Sequence, residues 1–337
     1  MNLQTSISIV PLTPQLSYKT PMLLVGSCFA DNIGQIMQQR CFPVTVNPFG
    51  TAYNPLSIAQ SLLRLQSAQP FTEQEIIQSG ELYTSFFHHS EFSHSDKKYF
   101  LKTANDFLLE DAEALCKAEF ILLSLGTAWV YRYKENGMVV NNCHKIPAAN
   151  FTRSMLTVEE ITAALLPLIT TSKAQWILTV SPIRHWKDGA HGNQLSKAVL
   201  LLAIEQLQQR CANVHYFPAY EIMMDELRDY RFYADDMLHP SSLAINYIWQ
   251  RFSEAALTAE TKSILLEVEK IVAAQQHRLL HPDTESSRRF QQQLQQQISD
   301  FTHKYPYIKL LEESAGQLSG NLEAHRPNTK PPDVRHR

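Results

Sequence analysis

The sequence has no long hydrophobic run and no excess of charge of one sign. Its longest apolar run, residues 198–204, is far too short to span a bilayer. Residues 1–5 contain neither the basic nor the apolar region of a signal peptide. Lys and Arg number 30 and Asp and Glu number 33, so no basic field indicates nucleic-acid binding. We therefore expect a protein that acts on neither membranes nor nucleic acids.

Cysteine is scarce, and its arrangement argues against two kinds of site. The five cysteines are Cys28, Cys41, Cys116, Cys143 and Cys211. Their number is odd and no two form a CxxC pair, which disfavours a disulfide framework and a structural zinc site. A reducing cytoplasm is therefore the expected location. We also expect no metal and no cofactor, because the histidines within residues 88–94 lack a supporting pattern of carboxylates.

Glycine is also scarce, with 10 residues in the chain. Gly26, Gly50 and Gly126 each lie in one of the motifs described below. Glycine tolerates a positive φ and lets other atoms approach the backbone closely. We therefore expect these positions to be tight turns or close contacts.

Short apolar segments alternate with segments of helical periodicity. The 337 residues, 44% of them hydrophobic, are enough for one large domain or for one domain with an appendage. Buried strands are predicted at residues 22–25, 120–125, 176–180 and 214–217. Helices are predicted at residues 31–40, 55–66, 106–118, 158–170, 195–210 and 243–257. This alternation predicts an α/β fold with a mostly parallel sheet.

Two regions between these segments have the character of additional β-structure. Residues 129–133 and 138–140 flank Glu135-Asn136-Gly137, a sequence that is typical of a β-hairpin. Residues 71–92 are less regular and can hold a small β excursion. We expect both regions to lie outside the parallel sheet.

The pattern changes after residue 257. Residues 260–279 and the glutamine-rich residues 288–301 have helical patterns. We predict an α/β domain over residues 1–257, a C-terminal helical extension over residues 258–320 and a disordered, proline-rich tail over residues 321–337. The extension can pack on the domain or pair with a second copy of the chain in a homo-oligomer.

Two potential nucleophiles, Ser27 and Cys28, follow the first predicted strand directly after Gly26. A helix is predicted to begin shortly after them, and the N–H groups at a helix N-terminus favour an oxyanion or a thiolate. Either side chain can be the nucleophile. The alternative interpretations are that Ser27 caps the helix and that Cys28 is a small buried apolar residue.

A carboxylate precedes a histidine by three positions in the sequence Asp236-Met-Leu-His239-Pro. Such a carboxylate can fix the tautomer of the imidazole, whose other nitrogen then accepts a proton from a nucleophile. Asp235 lies beside Asp236 and can serve instead. The pattern predicts a catalytic set of a nucleophile, the base His239 and the orienting carboxylate Asp236.

Polar motifs follow three of the predicted strands. Residues 26–28, 126–127 and 181–182 each come directly after a buried strand. Ligands of α/β proteins bind at the carboxyl ends of parallel strands, so we expect these segments to form one site. Residues 181–197, which include Arg184 and His185, are rich in polar side chains and are either a lid, a substrate-binding loop or a plain solvated loop.

A series of motifs resembles, in the same order, the motifs of the GSCFA-domain family. They are Gly26-Ser-Cys-Phe-Ala30, Asn47-Pro-Phe-Gly-Thr-Ala-Tyr-Asn-Pro55, Leu125-Gly-Thr-Ala-Trp129, Asn142-Cys-His-Lys-Ile-Pro147, Ser181-Pro-Ile-Arg-His185 and Asp236-x-x-His239. The resemblance covers residues 20–255, and that family is similar to the SGNH (GDSL-like) esterases and acyltransferases. It implies a three-layer α/β/α sandwich with a mostly parallel sheet of about five strands.

Carried over without a gap, the resemblance puts Cys28 at the nucleophile position and Ser27 one position before it. The asparagine of the Gly-x-Asn-Asp motif, an oxyanion donor, is replaced by Ala128. A missing donor of this kind costs about 3 kcal/mol in the transition state. The residues that the resemblance and the polar segments offer for the oxyanion or the substrate are Gly50, Gly126, Thr127, His144, Arg184 and His185.

Two functions from different classes remain open at this point. The first is a hydrolase or acyltransferase acting on a small-molecule O-acyl ester, by analogy an acylated carbohydrate, with His239 lowering the pKa of Cys28 toward the thiolate. The second is a non-catalytic ligand-binding protein on the same scaffold, an interpretation that Ala128 favours.

Overall fold

The computed structural model describes residues 5–277, 281 and 283–310, which form a central β-sheet with helices on both faces. The strands are β1 (Met22–Gly26), β2 (Val44–Val46), β3 (Ile77–Ser79), β4 (Leu82–Thr84), β5 (Phe120–Leu125), β6 (Trp129–Tyr133), β7 (Val139–Val140), β8 (Phe151–Met155), β9 (Gln175–Val180) and β10 (Val214–Tyr216). The helices are α1 (Cys28–Gln39), α2 (Pro55–Ser67), α3 (Lys97–Lys117), α4 (Val158–Thr171), α5 (Gly189–Arg210), α6 (Ala219–Glu221), α7 (Ser242–Ala256), α8 (Ala259–Gln275) and α9 (Glu285–Lys304).

A five-stranded parallel sheet in the order β10-β9-β5-β1-β2 forms the centre of the fold. Every residue of β5 is buried, which explains why this strand reads as an unbroken apolar run. Ile121 and Leu123 share one hydrophobic core with α2, α3, α4 and α5. Phe120 and Leu122 lie in the other core, with α1, α7, α8 and α9. The predicted three-layer α/β/α architecture is therefore confirmed.

The element bounds differ from the sequence predictions mainly at helix starts. The first helix begins at Cys28 rather than at residue 31, because the Ser27 side chain accepts a hydrogen bond from Phe29 N–H and caps it. Helix α3 begins at Lys97 rather than at residue 106, since Asp96 accepts from two backbone N–H groups there. Strand β2 was not predicted. It is only three residues long and lies half-buried at the sheet edge.

A three-stranded antiparallel sheet in the order β7-β6-β8 follows directly after β5. The predicted hairpin of residues 129–133 and 138–140 supplies β6 and β7. The predicted excursion within residues 71–92 is the small hairpin β3-β4. Since β6 begins four residues after β5 ends, the antiparallel sheet stands beside the carboxyl edge of the parallel sheet.

The C-terminal helices pack onto the α/β domain. Ile264 and Val268 of α8, together with Leu294 and Phe301 of α9, belong to the same core as α1 and α7. The two helices predicted in the extension are therefore confirmed, whereas pairing with a second copy stays a prediction. The predicted tail of residues 321–337 lies outside the described residues. None of the described helices combines the length and the apolar character that a membrane crossing requires.

Candidate active site

A cavity of about 380 Å³ opens where β1, β5 and β9 end. The predicted residues that line it are Ser27, Cys28, Thr127, Arg184, His185 and His239. The segments that follow these three strands and the Asp-His turn therefore meet at one place, as the sequence predicted. In an α/β protein this is the edge at which ligands bind.

Ser27 serves as the cap of α1, and its oxygen is enclosed by protein groups. Its side chain is 1% exposed. Its Oγ accepts a hydrogen bond from Phe29 N–H at 3.2 Å and lies 3.1 Å from Ser124 Oγ. The preceding Gly26 has φ +148°, and a Cβ there would overlap the carbonyl of Ser124. This close approach between β1 and β5 is what requires glycine before the two potential nucleophiles.

Cys28 is the first residue of α1, and its Sγ lies 3.4 Å from the hydroxyl of Tyr53. Burial raises the pKa of the Cys28 thiol, while the Tyr53 hydrogen bond acts in the opposite direction. The expectation that His239 moves this pKa toward the thiolate is therefore wrong, because desolvation dominates. Cys28 enters any reaction as a thiol and needs a base to remove its proton.

Tyr53 was missed as a site residue by the sequence analysis. Its hydroxyl accepts a hydrogen bond from Thr51 Oγ1 at 3.3 Å, which leaves its own O–H free to donate toward Cys28. Burial raises the pKa of Tyr53 above its usual value, so the hydroxyl keeps its proton. A signal was present, because Tyr53 belongs to the motif of residues 47–55 that carries the family resemblance.

The Asp-His turn forms the pairing that the sequence predicted. Asp236 Oδ2 lies 2.5 Å from His239 Nδ1, and Asp236 Oδ1 accepts the N–H groups of Leu238 and His239 at 2.9 Å each. Met237 adopts a φ of +60° to close the turn, and α7 begins three residues after His239. With Nδ1–H donated to the carboxylate, Nε2 is the basic nitrogen of His239. The carboxylate paired with His239 is therefore Asp236 and not Asp235.

The pKa of Asp236 is lowered overall. Partial burial alone raises the pKa of this carboxyl, but the backbone N–H groups of His239 and Leu238 and the His239 ring together outweigh it. Asp236 is therefore ionised at neutral pH. Within the described residues no hydrogen bond joins His239 to Cys28 or Ser27, although all three line the cavity.

The backbone N–H groups of Gly126, Thr127 and Ala128, which follow β5, are already paired within the protein. The N–H groups of Gly126 and Thr127 both donate to the carbonyl of Tyr53, at 2.8 and 2.9 Å. The Thr127 hydroxyl lies 3.1 Å from Ser196 Oγ. The side chain of Ala128 is fully buried in the core beneath α2 to α5. Neither the replaced asparagine position nor Thr127 therefore supplies an oxyanion donor here.

Gly50 and His144 lie away from the cavity. The Gly50 N–H donates to the carbonyl of Asn47 at 2.8 Å, and a Cβ on Gly50 would overlap His89. His144 is buried, with its Nε2 bonded to the carbonyl of Ser85 at 2.8 Å. Neither residue lines the cavity, so the structure does not support the expectation that they belong to the oxyanion or substrate site: His144 is buried and bonded elsewhere, and the Gly50 N–H is already paired. Across the described part of the chain, no three His, Cys, Asp or Glu side chains are grouped to hold a metal ion.

The loop that follows β9 brings Arg184 and His185 to the cavity. The N–H of Arg184 donates to the carbonyl of Leu238 at 3.3 Å, which ties this loop to the Asp-His turn. The N–H of His185 donates to Asn193 Oδ1 at 2.9 Å. Burial, and secondarily the charge of Lys197, lowers the pKa of His185 to about 3, so its ring is neutral.

Lys197 is buried between the ends of β5 and β9. Its Nζ donates to the carbonyls of Gly126 and Ser181 at 2.7 Å each, so it joins the ends of β5 and β9. Burial lowers the pKa of Lys197 to about 7. The polar residues of the segment 181–197 therefore have two different positions. Residues 183–188 line the cavity, whereas Lys197 is buried and links the ends of β5 and β9.

Some buried polar atoms of the cavity have no hydrogen-bond partner among the described residues. They are Trp129 Nε1, Asn141 Oδ1, Arg184 Nε and His185 Nε2. Buried polar groups in proteins are nearly always paired, and each exception calls for an explanation. A ligand rich in hydrogen-bonding groups would supply the missing partners.

Comparison with known proteins agrees with the resemblance seen in the motifs. Residues 21–252 match the GSCFA family, and residues 268–316 match the GSCFA domain protein, C-terminal domain. A search among curated proteins gives no match. The first of these matches spans more than half of the chain and includes the whole cavity. The chain belongs to the GSCFA family.

Proposed function

We propose that this protein is an ester hydrolase or acyltransferase with Cys28 as nucleophile, His239 as general base and Asp236 as the group that orients His239. The observation that carries the proposal is the 2.5 Å contact between His239 Nδ1 and Asp236 Oδ2 at a cavity that Cys28 also lines. A carboxylate, an imidazole and a thiol in one cavity are the parts needed for acyl transfer through a covalent intermediate.

The proposed reaction has two half-reactions. His239 Nε2 takes the thiol proton while Cys28 Sγ attacks the ester carbonyl, and the same proton then goes to the departing alcohol. The acyl group is left on Cys28 as a thioester. Water or a second alcohol, activated by His239, attacks this thioester and releases an acid or a new ester, and Cys28 recovers its proton. No other reactant is needed.

The proposed oxyanion donor is the hydroxyl of Tyr53. It lies 3.4 Å from Cys28 Sγ and keeps its proton because burial raises its pKa. The N–H of Cys28, in the first turn of α1, has no acceptor within its own helix and is the second proposed donor. They take the place of the backbone N–H groups of Gly126 and Thr127, which donate to the Tyr53 carbonyl and so are not free to bind an oxyanion.

Cys28 is preferred to Ser27 as nucleophile because the Ser27 oxygen is already engaged. It caps α1 and contacts Ser124, and its side chain is nearly inaccessible. Cys28 is half-buried, and its sulfur is hydrogen-bonded to the Tyr53 hydroxyl. We therefore assign Ser27 the structural role of helix cap.

Paired substitutions test this assignment on a panel of p-nitrophenyl esters. Cys28→Ala should abolish turnover and the trapped acyl-enzyme seen by mass spectrometry. Ser27→Ala is the matched control: it should retain turnover but lower the free energy of unfolding by about 1 kcal/mol, the usual loss on removing a helix cap. An active Cys28→Ala together with an inactive Ser27→Ala would reverse the assignment. If both variants match the parent, neither residue is the nucleophile.

A second candidate function is ligand binding without catalysis. Two observations favour it: within the described residues His239 and Cys28 are not hydrogen-bonded to each other, and Ala128 stands where related esterases have an oxyanion asparagine. If the parent protein hydrolyses no ester of the panel and forms no acyl-enzyme, this second function replaces the first.

The substrate class and the compartment are also part of the proposal. An O-acylated carbohydrate is supported by the resemblance to the SGNH enzymes. A reducing cytoplasm is supported by the five cysteines, all of which are free thiols.

A further inference from the structure

One side of the cavity is lined by cationic and aromatic side chains. We call this surface the cationic wall, and its members are Trp129, Tyr131, Arg153, Arg184 and Lys187. It is built from β6, from β8 and from the loop after β9. The guanidinium of Arg153 lies 4.1 Å from the centre of the Trp129 ring, and Lys187 Nζ lies 5.1 Å from the centre of the Tyr131 ring.

The charges of this wall are only partly neutralised. Arg153 forms an ion pair with Asp188. Arg184 and Lys187 take part in no ion pair with the described residues; Lys187 Nζ instead donates to the Tyr131 hydroxyl at 2.6 Å. The Nε of Arg184 is buried and has no hydrogen-bond partner in the described chain.

Among the described residues that line the cavity, no unpaired carboxylate balances these two cations. Among the described lining residues the only carboxylate is Asp188, which is already paired with Arg153. Asp236 is paired with His239. Arg184 is the partly buried one of the two, and a partly buried cation without a counter-charge is costly. The cavity therefore has a surplus of positive charge, carried by Arg184 and Lys187, that a bound anion would neutralise.

We infer that the ester substrate carries a negatively charged group, a carboxylate or a phosphate, which Arg184 and Lys187 bind while its acyl carbonyl lies at Cys28. The fork of N–H donors on arginine suits either anion. Arg184 is tied to Leu238, the neighbour of His239, so the anion is held close to the reacting bond. The statement that the anion belongs to an ester substrate rests on the proposed function, whereas the statement that Arg184 and Lys187 bind an anion does not depend on it.

The kinetic test compares mono-p-nitrophenyl succinate, which carries a carboxylate, with the neutral p-nitrophenyl acetate. We expect a ratio of kcat/KM that favours the succinate ester in the parent protein. That ratio should fall about tenfold in Arg184→Ala and in Lys187→Ala, the factor that corresponds to one lost charge-assisted hydrogen bond. Lys187 is exposed, so its variant tests the inference even if Arg184→Ala does not fold. The control Arg228→Ala, an exposed arginine outside the cavity, should keep the parent ratio.

The binding test separates this inference from the proposed function. Calorimetry on the full chain measures inorganic phosphate, monomethyl succinate and the neutral dimethyl succinate. Binding of either anion that is weakened in Lys187→Ala supports the inference even if no ester is hydrolysed, and the anion that binds identifies the charged group. The inference is overturned if neither anion binds better than the neutral diester. It is also overturned if esters are hydrolysed with the same preference in the parent and in both cavity variants, an outcome that leaves the proposed function intact.

Discussion

The two sides of the cavity are built in different ways. The side that carries Cys28 and His239 lies at the ends of buried parallel strands and at the starts of two helices. The cationic wall comes from a small antiparallel sheet and from the loop of residues 183–188. On the first side His239 has the fixed partner Asp236, whereas on the second side Trp129 and Arg184 each have a buried N–H group without a partner in the described chain.

This difference separates positioning from recognition. Parallel strands buried on both faces allow little movement at their ends, which suits groups that must meet a reacting atom within tenths of an ångström. Exposed loops adapt more easily, and Trp186 in the loop after β9 is 54% exposed. We therefore expect substitutions on the first side to change kcat and substitutions on the cationic wall to change KM. The following experiments test that division.

Removal of the base should have the largest effect. His239→Ala is expected to lower kcat by about 10⁴-fold, because the proposed base for the thiol proton is then lost. Steady-state kinetics on p-nitrophenyl acetate measure this, and thermal unfolding checks that the fold is intact. His303→Ala, an exposed histidine on α9, is the control. A His239→Ala variant with parental kcat would remove His239 from the mechanism.

Loss of the orienting carboxylate should be the next largest effect. Asp236→Asn is expected to lower kcat by about 10³-fold, since the amide no longer fixes the tautomer in which Nε2 is basic. Asp235→Asn provides a matched control at the neighbouring position and should retain kcat. If instead Asp235→Asn is the inactive variant, the pairing seen between Asp236 and His239 is not the functional one.

Removal of one hydroxyl tests the proposed oxyanion donor. Tyr53→Phe should lower kcat by about 10²-fold with little change in KM, as expected for a donor that acts mainly in the transition state. Tyr99→Phe, which removes a hydroxyl from a tyrosine that is 42% exposed, serves for comparison. If Tyr53→Phe also lowers the unfolding temperature markedly, the loss of kcat reflects a disturbed fold, and the Tyr53 hydroxyl contributes to packing rather than to catalysis.

The raised pKa of Cys28 predicts a pH dependence of alkylation. Only the thiolate reacts with iodoacetamide, so a pKa raised by burial keeps the reactive fraction small at neutral pH and makes it grow as pH increases. At pH 7.5 Cys28 should be alkylated more slowly than the exposed Cys116, as measured by peptide mass spectrometry. Faster alkylation of Cys28 than of Cys116 at this pH would contradict the buried, protonated thiol.

Salt should have the smallest effect and should act on the cationic wall alone. Raising the ionic strength from about 0.1 to about 1 M shortens the Debye length from about 10 to about 3 Å. The kcat/KM for mono-p-nitrophenyl succinate should then fall by about threefold, while that for p-nitrophenyl acetate should stay constant. A parallel decrease for both esters would indicate a general salt effect on the protein and not recognition of charge.

Much of the fold could be predicted because its main signals are local. Apolar runs of strand length alternate with helical periodicity, and the predicted strands at residues 22–25, 120–125 and 176–180 are all confirmed within a residue. Strand β2 was missed because three half-buried residues at an edge carry no apolar run. The early start of α3 was missed although its signals were present, because Asp96 is a capping residue and Phe100, Ala104 and Leu108 repeat every four positions.

The candidate site was predicted only in part, because only some of its residues belong to local motifs. Cys28 and His239 were named because each belongs to a short motif whose spacing implies its own chemistry. Gly50 and His144 were expected at the site and lie elsewhere, since a motif does not indicate the direction in which a side chain points. Arg153 was missed because it belongs to a strand that was itself not predicted and carries no recognisable motif.

The sequence by itself determined the alternation of the main buried strands with helices and the turn in which Asp236 meets His239, because these depend on residues close together in the chain. Only the tertiary structure decided what surrounds the thiol. It placed Tyr53 beside Cys28 and left Ala128 in the core. The physical reason is that burial and hydrogen-bond partners arise from segments far apart in sequence, and these segments meet only when the sheet has formed.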